Sequence, residues 1–302
     1  MQVIYAFRRS AFYPHHTTGL DLPPPDVRRQ YLKTVKSLGF EGLELGVGSL
    51  DPAAVRDLRA ELEDHGLPCV AVRGGGGLHH PRTAALTRQR LEEAVRFAAL
   101  IGARIVNTTV STPVDPNAPG ATYGQPVSQG SSRLAHMTDF EYTARGLAQI
   151  ADLAADHGLQ ISIEVHQHSI ADNSWSALYL LDLINRPNVG LNPDLGNIYW
   201  AYDTPEESLE AAILALAPKA VYWHCKNLQR VHIPELQRAI FLQVPLPDGE
   251  IDYRFAITAM WQAGYRGPLA VEGMRYGDQL TGDGRSVSYV KSLLAELATL
   301  AG

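Results

Sequence analysis

Cysteine is scarce in this chain, with two in 302 residues, Cys69 and Cys225. They fall in different predicted strands and match neither a disulfide framework nor a CxxC metal spacing, so the expectation is reduced thiols and a cytoplasmic protein. Long hydrophobic runs are missing as well. No segment approaches the ~18 uncharged apolar residues of a membrane-spanning helix. The opening residues, MQVIYAFRRS, place charge directly after a short apolar run, the reverse of a secretory leader. Blocks of like charge are limited to pairs such as Arg8-Arg9 and Arg28-Arg29, and the net charge is −6. A nucleic-acid surface needs clustered Lys and Arg to neutralise phosphates, so nucleic acid and membrane are both excluded as expected partners. A small anionic substrate is not.

What is present is 45% hydrophobic content, ample for a sizeable core, and a regular alternation of short β-rich runs with longer helical patterns. Strands are expected near 3–7, 42–46, 68–73, 104–110, 160–166, 189–194, 220–226 and 269–272. Helices are expected near 26–38, 52–65, 83–101, 139–157, 174–185, 204–216, 252–263 and 284–299. Eight β/α pairs in strict alternation imply an α/β fold, a parallel (β/α)8 TIM barrel forming a single domain over 1–302.

Punctuation agrees with these breaks. Asp51-Pro52 and Thr204-Pro205 read as an N-cap followed by proline, with Glu207 completing a capping-box spacing after Thr204. Gly39, Gly66, Gly102, Gly158 and Gly264 each follow a helix and are expected to close it in the left-handed conformation. Two βα connections are long, 111–138 after strand four and 228–249 after strand seven, and both belong on the C-terminal face where barrels carry their sites. The run Gly74-Gly75-Gly76-Gly77 is a third element there. Apolar residues on the exterior helices leave room for a homo-oligomer.

Side-chain alternation along barrel strands separates interior from helix-facing positions. It places Ser162, Glu164 and His166 together on strand five, Asn192 and Asp194 on strand six, Tyr222, His224 and Lys226 on strand seven, and Ala270 and Glu272 on strand eight. Four consecutive strands thus end in Glu164, Asp194, His224 and Glu272 on the interior face. Converging buried polar groups need compensation for lost hydration, and a metal ion supplies it. Three carboxylates and one imidazole suit one divalent cation, Mn²⁺, Mg²⁺, Co²⁺ or Zn²⁺, without choosing among them; Mn²⁺ is the expected ion.

The order Glu, Asp, His, Glu, with PDLGN around Asp194, HCKN around His224 and DGEIDYRFAITAMWQAGYRGPLAVEG up to and around Glu272, resembles the xylose-isomerase-like TIM-barrel superfamily of sugar-phosphate isomerases and epimerases. The resemblance implies that Glu164, Asp194, His224 and Glu272 bind the metal. In the ketose 3-epimerase branch it further implies that Glu164 and Glu272 act as the acid/base pair. Arg230, six residues after His224, matches a substrate-contacting Arg of those enzymes, whereas Asn197 stands where they have a substrate-contacting His.

The remaining polar groups each carry a functional and a plain reading. His166 is a substrate contact or general base, or it orients Glu164. His168 is a loop residue. Lys226 polarises a substrate oxygen or forms a structural salt bridge. Glu44 is a substrate contact or a buried ion-pair partner of Arg8 or Arg73. Trp200 stacks on a sugar or packs under a lid, and the pairs His15-His16 and His79-His80 are solvated loop histidines. The expected function is a metal-dependent isomerase or epimerase of a ketose or related sugar, working through proton abstraction beside a carbonyl and an enediolate. The alternative shares that first step and ends in elimination, as in inosose dehydratases or enzymes cleaving 3-oxo-glycosides and C-glycosides. A multinuclear-zinc nuclease of similar fold needs more inward histidines than the chain offers. A non-catalytic sugar-binding barrel would not require two inward glutamates flanking a metal.

Overall fold

The structure is a computed structural model describing residues 1–6, 22–111, 131–200, 206–236, 238–274 and 277–300. In chain order the described strands are β1 (Gln2–Ala6), β2 (Leu43–Gly46), β3 (Cys69–Gly75), β4 (Ile105–Thr109), β5 (Gln160–Glu164), β6 (Val189–Asn192), β7 (Trp223–Cys225), β8 (Asn227–Ile233), β9 (Arg238–Val244) and β10 (Pro268–Glu272). Between them lie α1 (Pro25–Ser37), α2 (Pro52–Asp64), α3 (Ala84–Ile101), α4 (Met137–Ala155), α5 (Ser174–Ile184), α6 (Leu195–Tyr199), α7 (Leu209–Leu216) and α8 (Tyr253–Gln262), with α9 (Gln279–Leu300) last.

Eight of these strands form one parallel sheet in the order β6-β5-β4-β3-β2-β1-β10-β7. The seam between β7 and β6 carries a bridge from Leu191 to Ala220, and Val221 N donates to Leu191 O at 3.0 Å. One rung further on, His224 N donates to the Asn192 side-chain oxygen at 2.7 Å. The sheet is therefore nearly closed into the expected TIM barrel, with a side chain completing the seam where the backbone ladder stops.

The alternation argument describes the packing well. Ile161, Ile163, Val165, Leu191, Trp223, Cys225, Leu269 and Val271 face outward and join the main core between sheet and helices. A smaller separate cluster of Ile4, Ala6, Val70, Ala71, Ile105, Tyr222 and Ala270 fills the barrel interior. Burial of each large apolar side chain contributes roughly 1.5–3 kcal/mol. Above this interior plug stand the polar strand ends.

Helix ends follow their local chemistry. Asp51 accepts from Ala53 N and Ala54 N ahead of Pro52, and Asp252 accepts from Phe255 N. The five glycines after helices have φ between +65° and +103°, which costs glycine nothing and other residues strain. Gly75 is tighter still, since φ is +120° and an added Cβ would lie 1.8 Å from Thr108 Oγ1. Gly75→Ala is expected to cost about 1–3 kcal/mol by overpacking between β3 and β4, read as a lowered denaturation midpoint; an unchanged midpoint would contradict the packing described.

Three expectations need correction. The connection 228–249 was expected to be a loop; it is instead an antiparallel hairpin of β8 and β9, paired from Asn227↔Val244 to Ile233↔Arg238. Its charged residues and prolines mask a regular two-residue alternation. Helix α7 begins at Leu209 with Ser208 as its cap, not at 204, and Glu207 instead accepts from Ser174 N at 2.6 Å, serving the start of α5. Helix α9 starts a turn before 284, because Gly282 and Gly284 are close-packing positions against Met274 and Leu38 and not breakers. Arg8, His15, His16, Thr204 and 112–130 lie outside the described residues.

Candidate metal centre

Strand β5 ends on Glu164 and β10 on Glu272, while Asp194 follows Pro193 just past β6, where it caps α6 by accepting from Asn197 N. His224 is the middle residue of β7. The barrel brings the four together: one donor atom from each lies within 4.8 Å of the other three. All four residues are buried, Asp194 and His224 completely.

A layer of polar side chains holds them. Asn107 Nδ2 donates to Glu164 Oε2 at 2.8 Å, and Asn107 Oδ1 accepts from Asn192 Nδ2 at 3.2 Å. Asn197 Nδ2 lies 2.9 Å from both Glu164 Oε1 and Asp194 Oδ2, so one amide ties the two carboxylates together. Lys226 crosses Gly196 so closely that a Cβ there would meet Lys226 Cγ at 2.3 Å. Its ammonium then sits 2.9 Å from Asp194 Oδ2 and 2.7 Å from Glu272 Oε2. Beneath the cluster, Glu44 accepts from Arg73 at 2.9 Å and from the Tyr222 hydroxyl at 2.7 Å, and meets His224 Nε2 at 2.5 Å. His224 Nδ1 points at Glu164 Oε2, 3.4 Å away.

The electrostatics follow from this crowding. Burial opposes charge on His224, yet the carboxylates of Glu44 and Glu164 raise it from 6.5 to about 10. Burial likewise opposes charge on Glu164, but His224, His166 and Lys226 hold it well below the usual carboxylate range. Asp194 goes the other way: burial pushes it up to about 7, with Lys226 pulling down and Glu272 and Glu164 pushing up. His166 is lowered by burial, so it favours the neutral form.

These residues fit a divalent cation. Two of the three carboxylates already grip an ammonium, and His224 has Nε2 anchored on Glu44 with Nδ1 directed at the cluster, the arrangement that orients a ligating imidazole. In the metal-free chain His224 is held charged. Its contribution to stability is complete below its unfolded value of 6.5 and is lost as pH rises through about 10. Chelator-treated protein is accordingly expected to melt at progressively lower temperature across that window; a flat profile would contradict it.

The other expected site residues fall as follows. Glu44 forms the ion pair with Arg73, the second of its two readings, and Lys226 forms salt bridges with Asp194 and Glu272. His166 Nδ1 lies 2.6 Å from Gln167 O. His168 sits buried in a turn with φ +60°. Arg230 lies over the Tyr199 ring at 5.4 Å and Trp200 packs 5.8 Å from Phe241, both on the seam between the hairpin and α6. Sequence reasoning missed Asn107 and Gln243. Asn107 shares its face of β4 with Thr109 and was open to the same alternation argument; Gln243 belongs to the unanticipated hairpin.

Beside the cluster lies a cavity of about 540 Å³, lined among others by Val47, Arg73, Gly75, Asn107, Thr109 and Glu164. Its lining mixes polar and apolar surface in nearly equal parts, and Glu164 is common to cavity and cluster. Among the described residues no helix is long and apolar enough to cross a membrane.

Comparison with known proteins gives four findings. The family model described as a xylose isomerase-like TIM barrel matches residues 32–293. The L-ribulose-5-phosphate 3-epimerase of Salmonella typhi is 22% identical over 271 residues, covering 83% of this chain and 84% of that protein. Among solved structures, a xylose isomerase-like TIM barrel protein from Mycobacterium smegmatis in complex with magnesium superposes with a TM-score of 0.78 at 20% identity, over 98% of this chain and 96% of the other. An L-ribulose 3-epimerase superposes at 0.74 with 15% identity, over 100% and 99%.

Proposed function

Since the chain belongs to the xylose isomerase-like TIM-barrel family, we propose that it is a divalent-metal-dependent sugar epimerase or isomerase acting on a ketose, a ketose phosphate or a related sugar. The observation that carries this reading is the convergence of Glu164, Asp194, His224 and Glu272 at the barrel mouth, beside a cavity that takes in Glu164. Those four residues would hold the cation, Mn²⁺ ahead of Mg²⁺, Co²⁺ or Zn²⁺. When bound, it supplies Lewis-acid polarisation of a carbonyl and its neighbouring hydroxyl, which acidifies the intervening C–H.

Glu164 and Glu272 come from β5 and β10, separated in the barrel by β6 and β7. One carboxylate removes the proton next to the carbonyl and the other returns one on the opposite face of the planar enediolate, which inverts that carbon. Asn197 keeps Glu164 and Asp194 in register, and Lys226 neutralises Glu272 until substrate arrives. The relative named as a ribulose-5-phosphate epimerase supports this choice of reaction. We place the enzyme in the cytoplasm, in keeping with two free buried cysteines.

One observation favours a second reading. The Lys226 ammonium, 2.7 Å from Glu272, could protonate a departing oxygen, which suits elimination from a keto-sugar. Incubation in D₂O with ketoses, ketose phosphates, inososes and 3-oxo-glycosides separates the two. Epimerisation is expected to place deuterium on the carbon beside the carbonyl with no release of water or aglycone. Such release marks the lyase, and absence of any labelling or turnover across the panel contradicts both.

A further inference from the structure

The β8–β9 hairpin lies outside the eight-fold β/α pattern, yet it touches the supports of several candidate ligands. Its first strand follows directly from Lys226. Phe241 of β9 meets Tyr199 edge-on at 6.4 Å, bracing α6, whose cap is Asp194. Gln243, opposite Leu228 on the inner face, is only 4% exposed. Its Nε2 donates to Glu272 O at 2.8 Å and to Gly273 O at 3.0 Å.

That bond replaces a missing piece of sheet. Strand β7 pairs with β10 only as far as Cys225↔Val271, after which the chain turns away into the hairpin. The carbonyls of Glu272 and Gly273 lie beyond the last rung, and a buried carbonyl without a donor is costly. On its other side the same backbone is gripped by α9, where Asp283 accepts from Met274 N at 3.0 Å and an added Cβ on Gly273 would meet Gln279 Nε2 at 2.1 Å.

We propose that Gln243 is a positioning residue for Glu272: it fixes the end of β10 so that the Glu272 carboxylate meets the metal cluster, which makes the inserted hairpin part of the frame of the site. The inference rests on the reading of Glu272 as a metal ligand. Its test is titration of the chelator-treated full-length chain with Mn²⁺, together with amide hydrogen exchange. Gln243→Met removes the donors at similar length, and Gln243→Asn, a milder change, keeps the amide but withdraws it from both carbonyls. Both variants are expected to bind Mn²⁺ about 10–100-fold more weakly, with faster exchange at Gly273 and Met274. Val231→Ser, on the exposed face of the same hairpin, is expected to bind like the natural protein. Glu272→Gln is the reference. If it weakens Mn²⁺ binding while both Gln243 variants stay within about twofold of the natural protein, the positioning role is overturned. If Glu272→Gln itself binds normally, the ligand reading falls and the proposal with it.

Discussion

Glu272→Gln is expected to lower turnover by about 10²–10⁴-fold while the chain stays folded. The substitution keeps size and a hydrogen-bonding oxygen for Lys226, whose ammonium lies 2.7 Å from Glu272 Oε2. What it removes is a base and one negative charge from a cluster that is almost entirely buried. The effect should show in the rate of deuterium entry from D₂O and in weakened Mn²⁺ binding together. Deuterium exchange at the natural rate would end the acid/base assignment, whereas lost exchange with normal Mn²⁺ affinity would make Glu272 a base only.

Glu44→Leu is expected to be the most destabilising single change at the site, by about 3–5 kcal/mol in denaturant unfolding. Glu44 is wholly buried and takes bonds from Arg73, Tyr222 and His224. Leucine fills comparable space but leaves the His224 imidazole and the Arg73 guanidinium without the carboxylate that compensates them. The same change removes the anchor on His224 Nε2, so Mn²⁺ binding is expected to weaken about 10–100-fold. It also removes a principal cause of the raised His224 value, so the alkaline loss of stability in the metal-free protein should shrink. A loss below about 1 kcal/mol with unchanged Mn²⁺ binding would show that Glu44 neither supports the layer nor orients the imidazole.

The parts of the fold legible in the sequence were those governed by short-range periodicity. Two-residue alternation put Glu164, Asp194, His224 and Glu272 on one face because outward neighbours such as Ile163, Leu191, Trp223 and Val271 are apolar and pack on helices. Glycine after five of the helices, at 39, 66, 102, 158 and 264, marked where the chain turns. Long-range partners were not legible. Glu207 carries a local capping signal, yet it is used by α5 across the seam. Gly282 and Gly284 look like helix breakers until Met274 and Leu38 are seen pressed against them. Glu44 had two candidate arginines in sequence, and only the register of β2 with β3 brings Arg73 beside it. Gln243 carries no signal of its own, because its partners are backbone carbonyls on a strand end reached through a hairpin.

Asn197 shows the same division. Its place three residues after Asp194 is visible in sequence, but its bonds to Glu164 and Asp194 depend on α6 folding back over the end of β5. A neutral amide at that point cannot gain or lose charge, so it adds no titrating group of its own to the two carboxylates, as a histidine there would.

The central claim, that the four strand ends form one cation site, is tested most directly by calorimetric titration of chelator-treated protein with Mn²⁺, alongside Asp194→Asn. The account predicts a single binding event at one ion per chain, accompanied by proton release as the raised His224 and Asp194 give up their protons, and its loss in Asp194→Asn. No binding by the natural chain, or binding unaffected by Asp194→Asn, would contradict it.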